Sequence, residues 1–148
     1  MALTKLSSTV ADSTLATTAS PTFTGVVTLP GVTETVAAPA YSSTIAIDIA
    51  SASVFYISPS NSYALNFTNM PSMTSKMLTI TLIISQGSTA YMPGAYQLAG
   101  ATLSPSVTWV GGSQPAGSSN KIDVINISFY YGGAGTLTKV LGSVATYG

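Results

Sequence analysis

The amino-acid sequence predicts an all-β protein: an antiparallel β-sandwich, jelly-roll-like, with an extended N-terminal arm. Three observations predict it. From about Glu34 onward, short segments of alternating apolar and polar residues follow one another at roughly 8- to 12-residue intervals, the spacing of sandwich strands. The polar surface is built from 22 serines and 21 threonines, while charged residues make up only 5% of the chain, and threonine, being β-branched, suits a pleated surface. No segment after Glu34 has helical periodicity. The division that follows is an arm over residues 1–32 and a sandwich over residues 33–148.

The arm differs from the rest in being dominated by Ser, Thr and Ala. Leu3, Leu6 and Val10 fall at helical spacing, but that seam stops after one heptad, and a coiled coil needs about three or four. An extended segment that orders on a partner is the preferred reading. Pro21 fixes its own φ and pushes Ser20 towards extended geometry. Thr22, Phe23 and Thr24 then alternate, sending Phe23 to one face. Gly25 permits a bulge or turn, "VVTL" resumes the strand, and Pro30-Gly31 reads as a tight turn. A lone hairpin of this size is marginal in water, so Phe23, Val27 and Leu29 need a cover. Other copies of the same chain are the expected cover, and the three residues are the expected trimer contacts.

In the sandwich, "STIAIDIAS" places Ile45, Ile47 and Ile49 on one face and Thr44, Ala46 and Asp48 on the other. "SVFYIS", the turn "PSNS" and "YALNFT" follow, then the loop "NMPSMTSK". "MLTITLIIS" is the longest strand candidate. Both of its phases are partly apolar, which predicts a central strand covered on each side. "PGAYQLAGATL" and "SVTWV" read as shorter strands, and "GGSQPAGSSN" as the clearest loop. "KIDVINISFYY" and "TLTKVLGSVATY" close the chain, joined by the turn "GGAG".

Composition excludes much chemistry. With no His and no Cys, neither Ser-His-Asp nor Cys-His catalysis can be assembled, and disulfides and thiolate metal sites are excluded. A carboxylate pair for glycoside hydrolysis reduces to Asp48 and Asp123 within the sandwich. Asp48 lies on a polar phase, and Asp123, two residues from Lys121, reads as half of a surface ion pair. No D-x-D cluster for calcium occurs, and "YYGGAGT" lacks the G-K-[ST] ending of a phosphate loop. No catalytic residue, metal ligand or cofactor is therefore assigned, and the expectation is a protein that is not an enzyme. The zero net charge, with four scattered lysines, offers no footprint for nucleic acid. No apolar run approaches the ~18 residues of a membrane helix, and the first twenty residues lack the h-region of a signal peptide. The few Lys residues and absent Arg leave little for proteases that need them, which suits a hardened, exposed structural protein. Trp109 and Tyr131 lie near loop boundaries and could act as sugar-stacking platforms. For Trp109 the preferred reading is that it fills the core or a subunit contact.

The string "ASPTFTG" resembles the "SPTFTG" segments that recur in tail fibres and other virion appendages of tailed bacteriophages. Leu78 to Leu103, Val107 to Gly132 and the ending "VLGSVATYG" (Val140 to Gly148) resemble C-terminal domains of phage virion structural proteins, particularly from phages of marine cyanobacteria. Together the quoted segments cover 68 of the 148 residues. They imply a non-enzymatic, usually trimeric virion component, assembled in the host bacterial cytoplasm and carried on the virion surface. Its partners would be itself and capsid or tail proteins, with a host surface glycan as the alternative target of a receptor-recognition module. A single "SPTFTG" unit and no visible shaft favour a short fibre or capsid decoration over a long, host-reaching fibre.

Overall fold

The computed structural model describes residues 33–148. The arm expected over residues 1–32, with Phe23, Val27 and Leu29, lies outside them. Ten strands form in order: β1 (Val36–Ala37), β2 (Thr44–Asp48), β3 (Val54–Ile57), β4 (Tyr63–Thr68), β5 (Lys76–Ser85), β6 (Pro93–Leu98), β7 (Ala101–Thr102), β8 (Val107–Trp109), β9 (Ile122–Tyr131) and β10 (Leu137–Tyr147). They make a six-stranded sheet, ordered β1-β3-β5-β9-β10-β8, and a four-stranded sheet, ordered β2-β4-β6-β7. The expected all-β class and two packed sheets are present.

The pairing differs from the antiparallel expectation. Consecutive strands from β1 to β6 alternate between the sheets, so each pairs in parallel with the strand two places on: β1 with β3, β3 with β5, β2 with β4, β4 with β6. The chain thus winds as a short parallel coil, returning to its own sheet after 18 residues (Val36 to Val54) and then 27 (Val54 to Thr81). The physical reason lies in the connections. Those between β1 and β6 are five to seven residues long, enough to cross the ~10 Å between packed sheets. None is the two-residue turn that holds neighbouring strands in one sheet. That turn occurs once in the described coil, at Ala99-Gly100, where φ is 50° and 83° and β6 folds back antiparallel onto β7. The expected hairpin at "GGAG" joins β9 to β10, antiparallel over most of their length. It is closed by Gly132 N–H donating to Thr136 O at 3.0 Å. β9 also runs antiparallel to β5 and ends the coil.

Alternation decides what is buried. Ile45 and Ile47, Leu65 and Phe67, Ile80, Leu82 and Ile84, and Ile125, Ile127 and Phe129 all point between the sheets and are essentially inaccessible. Each such side chain contributes roughly 1.5–3 kcal/mol relative to exposure. The Phe67 and Phe129 rings meet edge to face across the core, with centroids 5.0 Å apart. β5 is central, as expected, between β3 and β9. Among the described residues, however, only its inward face is covered: Met77 on the other face is 57% exposed.

Candidate functional site

Trp109 and Tyr131, the expected sugar platforms, are not brought together. Trp109 ends β8 and is level with Gly142 on β10, which is level with Ile127 on β9. Tyr131 lies four residues further along β9, about 13 Å away along the strand. Its ring is on the core side, 9% exposed, and burial pushes its hydroxyl pKa up. Trp109 is half-buried and packs towards the interior. Gly142 makes room for it: a Cβ there would stand 2.7 Å from the indole ring. The indole begins an aromatic row into the core, with Tyr96 at 6.0 Å and Phe67 a further 6.5 Å on, ending at Phe129.

Beside this row lies a cleft of about 300 Å³, lined by Tyr96, Gln97, Thr102, Leu103, Ser106 and Val107 among others. It opens where β6 and β7 of one sheet face β8 of the other. The loop between β8 and β9 is pinned next to it: the Tyr96 hydroxyl donates to Gln114 Oε1 at 3.1 Å, and Gln114 Nε2 donates to Pro93 O at 3.0 Å. The Tyr96 hydroxyl is held well above its usual range by burial and, less, by Tyr63.

Asp123 departs from the expected surface ion pair with Lys121. It is inaccessible to solvent, because β9 turns its odd positions inward, and Asp123 shares their phase with Ile125 and Ile127. Its carboxylate is bonded on both oxygens. Thr146 Oγ1 donates to Oδ1 at 2.7 Å, while Gln86 Nε2 and Ser118 N–H donate to Oδ2, each at 2.9 Å. Burial is the largest single influence and raises its pKa. The hydrogen bonds from Thr146, Ser118 and Gln86 together outweigh it and hold the carboxyl below its usual range. Gln86 extends the knot by accepting Tyr91 N–H at 2.9 Å. The knot ties together the β5–β6 loop, the β8–β9 loop, the start of β9 and the end of β10.

Asp48 is not near enough to complete a catalytic pair. It closes β2 and accepts from Ala50 N–H at 3.1 Å and Asn69 Nδ2 at 2.9 Å. The chain then leads into the start of β3, whereas Asp123 is level with Ile84 and Ile57 at its end. The two carboxylates occupy opposite ends of the sandwich. Among the described residues, no group of three or more potential metal-ligating acids occurs. The Tyr63 hydroxyl is the buried side-chain polar atom without a partner among them. Burial first, and the Asp123 charge second, push its pKa well above the usual phenol value.

The outward face of the six-stranded sheet was the feature the sequence pattern left undetected. Tyr56, Met77, Ile122, Tyr130, Leu141 and Tyr147 are all exposed on it. Register places Met77 beside Tyr130 beside Lys139, and Ser85 beside Ile122 beside Tyr147. Between these rows the polar side chains pair with each other: Thr79 with Ser128 at 2.7 Å, and Thr81 with Asn126 at 2.9 Å. The signal was present in β5, whose two phases are both partly apolar.

Comparison with protein-family models, curated proteins and solved structures finds no match for this chain.

Proposed function

We propose that this chain is a non-enzymatic structural protein of a tailed-phage particle, a homotrimeric component of the virion surface such as a short fibre or capsid decoration. Three arms meet around a common axis with Phe23, Val27 and Leu29 packed among the copies. The arm attaches the chain to capsid or tail. One observation carries the reading: the segments that resemble phage virion proteins coincide with β5 through β10. Those strands include the three longest and the exposed apolar face. A rigid, nearly uncharged β-body with one greasy side suits assembly from identical copies, since obligate subunit interfaces resemble a domain core.

Light scattering of the purified full chain tests it. The expected mass is three times the 15.0 kDa of one chain. Phe23→Ser is expected to weaken that assembly while leaving the β-sheet circular dichroism unchanged. A trimer unaltered by the substitution would remove the arm from the interface. Labelled particles then separate the two sites of attachment: tens to hundreds of copies mean capsid decoration, and a small multiple of three means a tail appendage.

A second reading, recognition of a host surface glycan, is favoured by the cleft beside Tyr96 and the Trp109 indole behind it. Filling the cleft by Ser106→Phe would abolish binding to host envelope polysaccharide on that reading and leave the oligomer mass intact.

A further inference from the structure

We propose that the outward face of the six-stranded sheet is a subunit interface, buried against the same face of other copies of this chain. The proposal rests on the preceding reading only for the number of copies.

The first argument is charge. Lys139 is the one charged side chain on the outward phase of β5, β9 and β10, and it stands in the end row beside Tyr130. Identical faces therefore meet without opposing ranks of like charge, and a strongly acidic or basic partner would find nothing to pair with. The second is polar satisfaction. A sheet face carrying Thr, Ser and Asn is costly to bury unless those groups have partners. Here Thr79 with Ser128, and Thr81 with Asn126, already bond within the face. Those contacts lower the cost of drying it, and the Asn126 Nδ2 donors remain for an acceptor on a facing copy.

Size is the third argument. The sheet across β3, β5, β9 and β10 is about 19 Å wide at ~4.8 Å per strand, and β5 and β9 extend about 33 Å. The resulting footprint is roughly 600 Å² per copy before side-chain relief, close to the ~800 Å² per partner of a standard stable interface. The sheet's edges, in contrast, are closed by strands of two and three residues, β1 and β8. Short edges are poor templates for strand addition, so association through this sheet uses its face. Copies stacked there would also cover the second side of β5.

The test uses the full chain at about 10 μM. Leu141 stands on β10 in the second of the five outward rows, level with Ser128 and Thr79. Leu141→Glu is expected to reduce the mass from light scattering to one chain, with the far-ultraviolet circular dichroism unchanged. Thr68→Glu, on the outward phase of the other sheet, is expected to leave the mass as it is. Since the chain has no cysteine, Ser143→Cys introduces a sole thiol on the face. Mild oxidation is expected to yield covalently linked chains, and Ala46→Cys on the opposite sheet none. A wild-type protein that is monomeric, or an oligomer that survives Leu141→Glu, overturns the proposal, and so does a failure of Ser143→Cys to link. If Phe23→Ser dissociates the trimer and Leu141→Glu does not, this interface is wrong and the arm-built trimer stands. If Leu141→Glu dissociates a species that is a dimer, the face stands and the three-copy reading fails.

Discussion

The two outer faces of the sandwich are made by the same rule and end in opposite states. On the four-stranded sheet the outward positions are small or polar: Thr44 and Ala46 on β2, Ala64, Asn66 and Thr68 on β4, Gln97 on β6. On the six-stranded sheet they include Tyr56, Met77, Ile122, Tyr130, Leu141 and Tyr147, each more than two-fifths exposed. A monomer gains nothing in solubility from the second pattern, and large exposed patches mark surfaces that meet something. Strand alternation dictates that one phase is buried, and it leaves the chemistry of the other phase free. That freedom is where the two sheets diverge, and it is where assembly can be encoded without disturbing the fold.

The strongest way to break the comparison is to remove the interior both faces share. Phe129 reaches from the six-stranded sheet to the Phe67 ring of the other. Phe129→Ala deletes that contact and leaves a cavity, at an expected cost of about 4 kcal/mol. If the sheets are one cooperative body, urea unfolding followed by Trp109 fluorescence and by circular dichroism shows a single coincident transition, shifted to lower urea. Two separated transitions would mean that the faces belong to independently stable layers.

How much of this was legible in the sequence differs by level. Strand positions and inward phases were readable, because Ile45/Ile47 or Leu65/Phe67 announce themselves by alternation alone. The central place of β5 was readable from apolar residues on both phases. Partner choice was not: nothing within "TIAID" or "VFYI" says whether the next strand pairs beside it or crosses to the opposite sheet. The loop "PSNS" looks like a hairpin turn and in fact carries the chain between sheets. Asp123 reads as a surface acid because Lys121, two residues earlier on the same phase, offers an ion pair. The same phase continues inward through Ile125, Ile127 and Phe129. The donors that make its burial tolerable, Gln86, Ser118 and Thr146, come from three distant segments.

The next effect in size separates the sheets. Asp123→Ala leaves the Gln86 amide, the Ser118 N–H and the Thr146 hydroxyl without their acceptor, at an expected cost of about 3 kcal/mol. The damage should concentrate where the knot holds the six-stranded sheet: hydrogen exchange accelerates at the start of β9, the end of β10 and the loop before β9, with β2 and β4 little changed. Acid should reproduce it. A carboxyl held below its unfolded value of about 3.9 contributes stability that is fully present above that pH and is lost as pH falls through the folded-state value. The described stability should therefore be flat from about pH 5 to 8, the more so because the chain has no histidine, and fall below about pH 4. In Asp123→Asn the acid loss should be smaller. An unaltered acid limb would remove Asp123 from the account of stability.

The smallest effect sharpens the comparison from the other side. Tyr63 stands at the start of β4 on the four-stranded sheet, and its hydroxyl is buried without a partner among the described residues. An unpaired buried hydroxyl costs about 1–3 kcal/mol, and the nearby Asp123 charge makes ionising it harder still, so it remains a neutral OH. Tyr63→Phe removes the oxygen and keeps the ring. The expected result is a gain of about 1 kcal/mol, seen as a higher urea midpoint with an unchanged slope. It should appear in the single-chain folding equilibrium and leave the oligomer mass untouched, since Tyr63 faces inward, away from both outer surfaces. A loss of stability would mean that the hydroxyl has a partner such as a buried water bridging it to the Asp123 knot. In that case a polar contact at the Asp123 end joins the two sheets in addition to the aromatic row from Trp109 to Phe129.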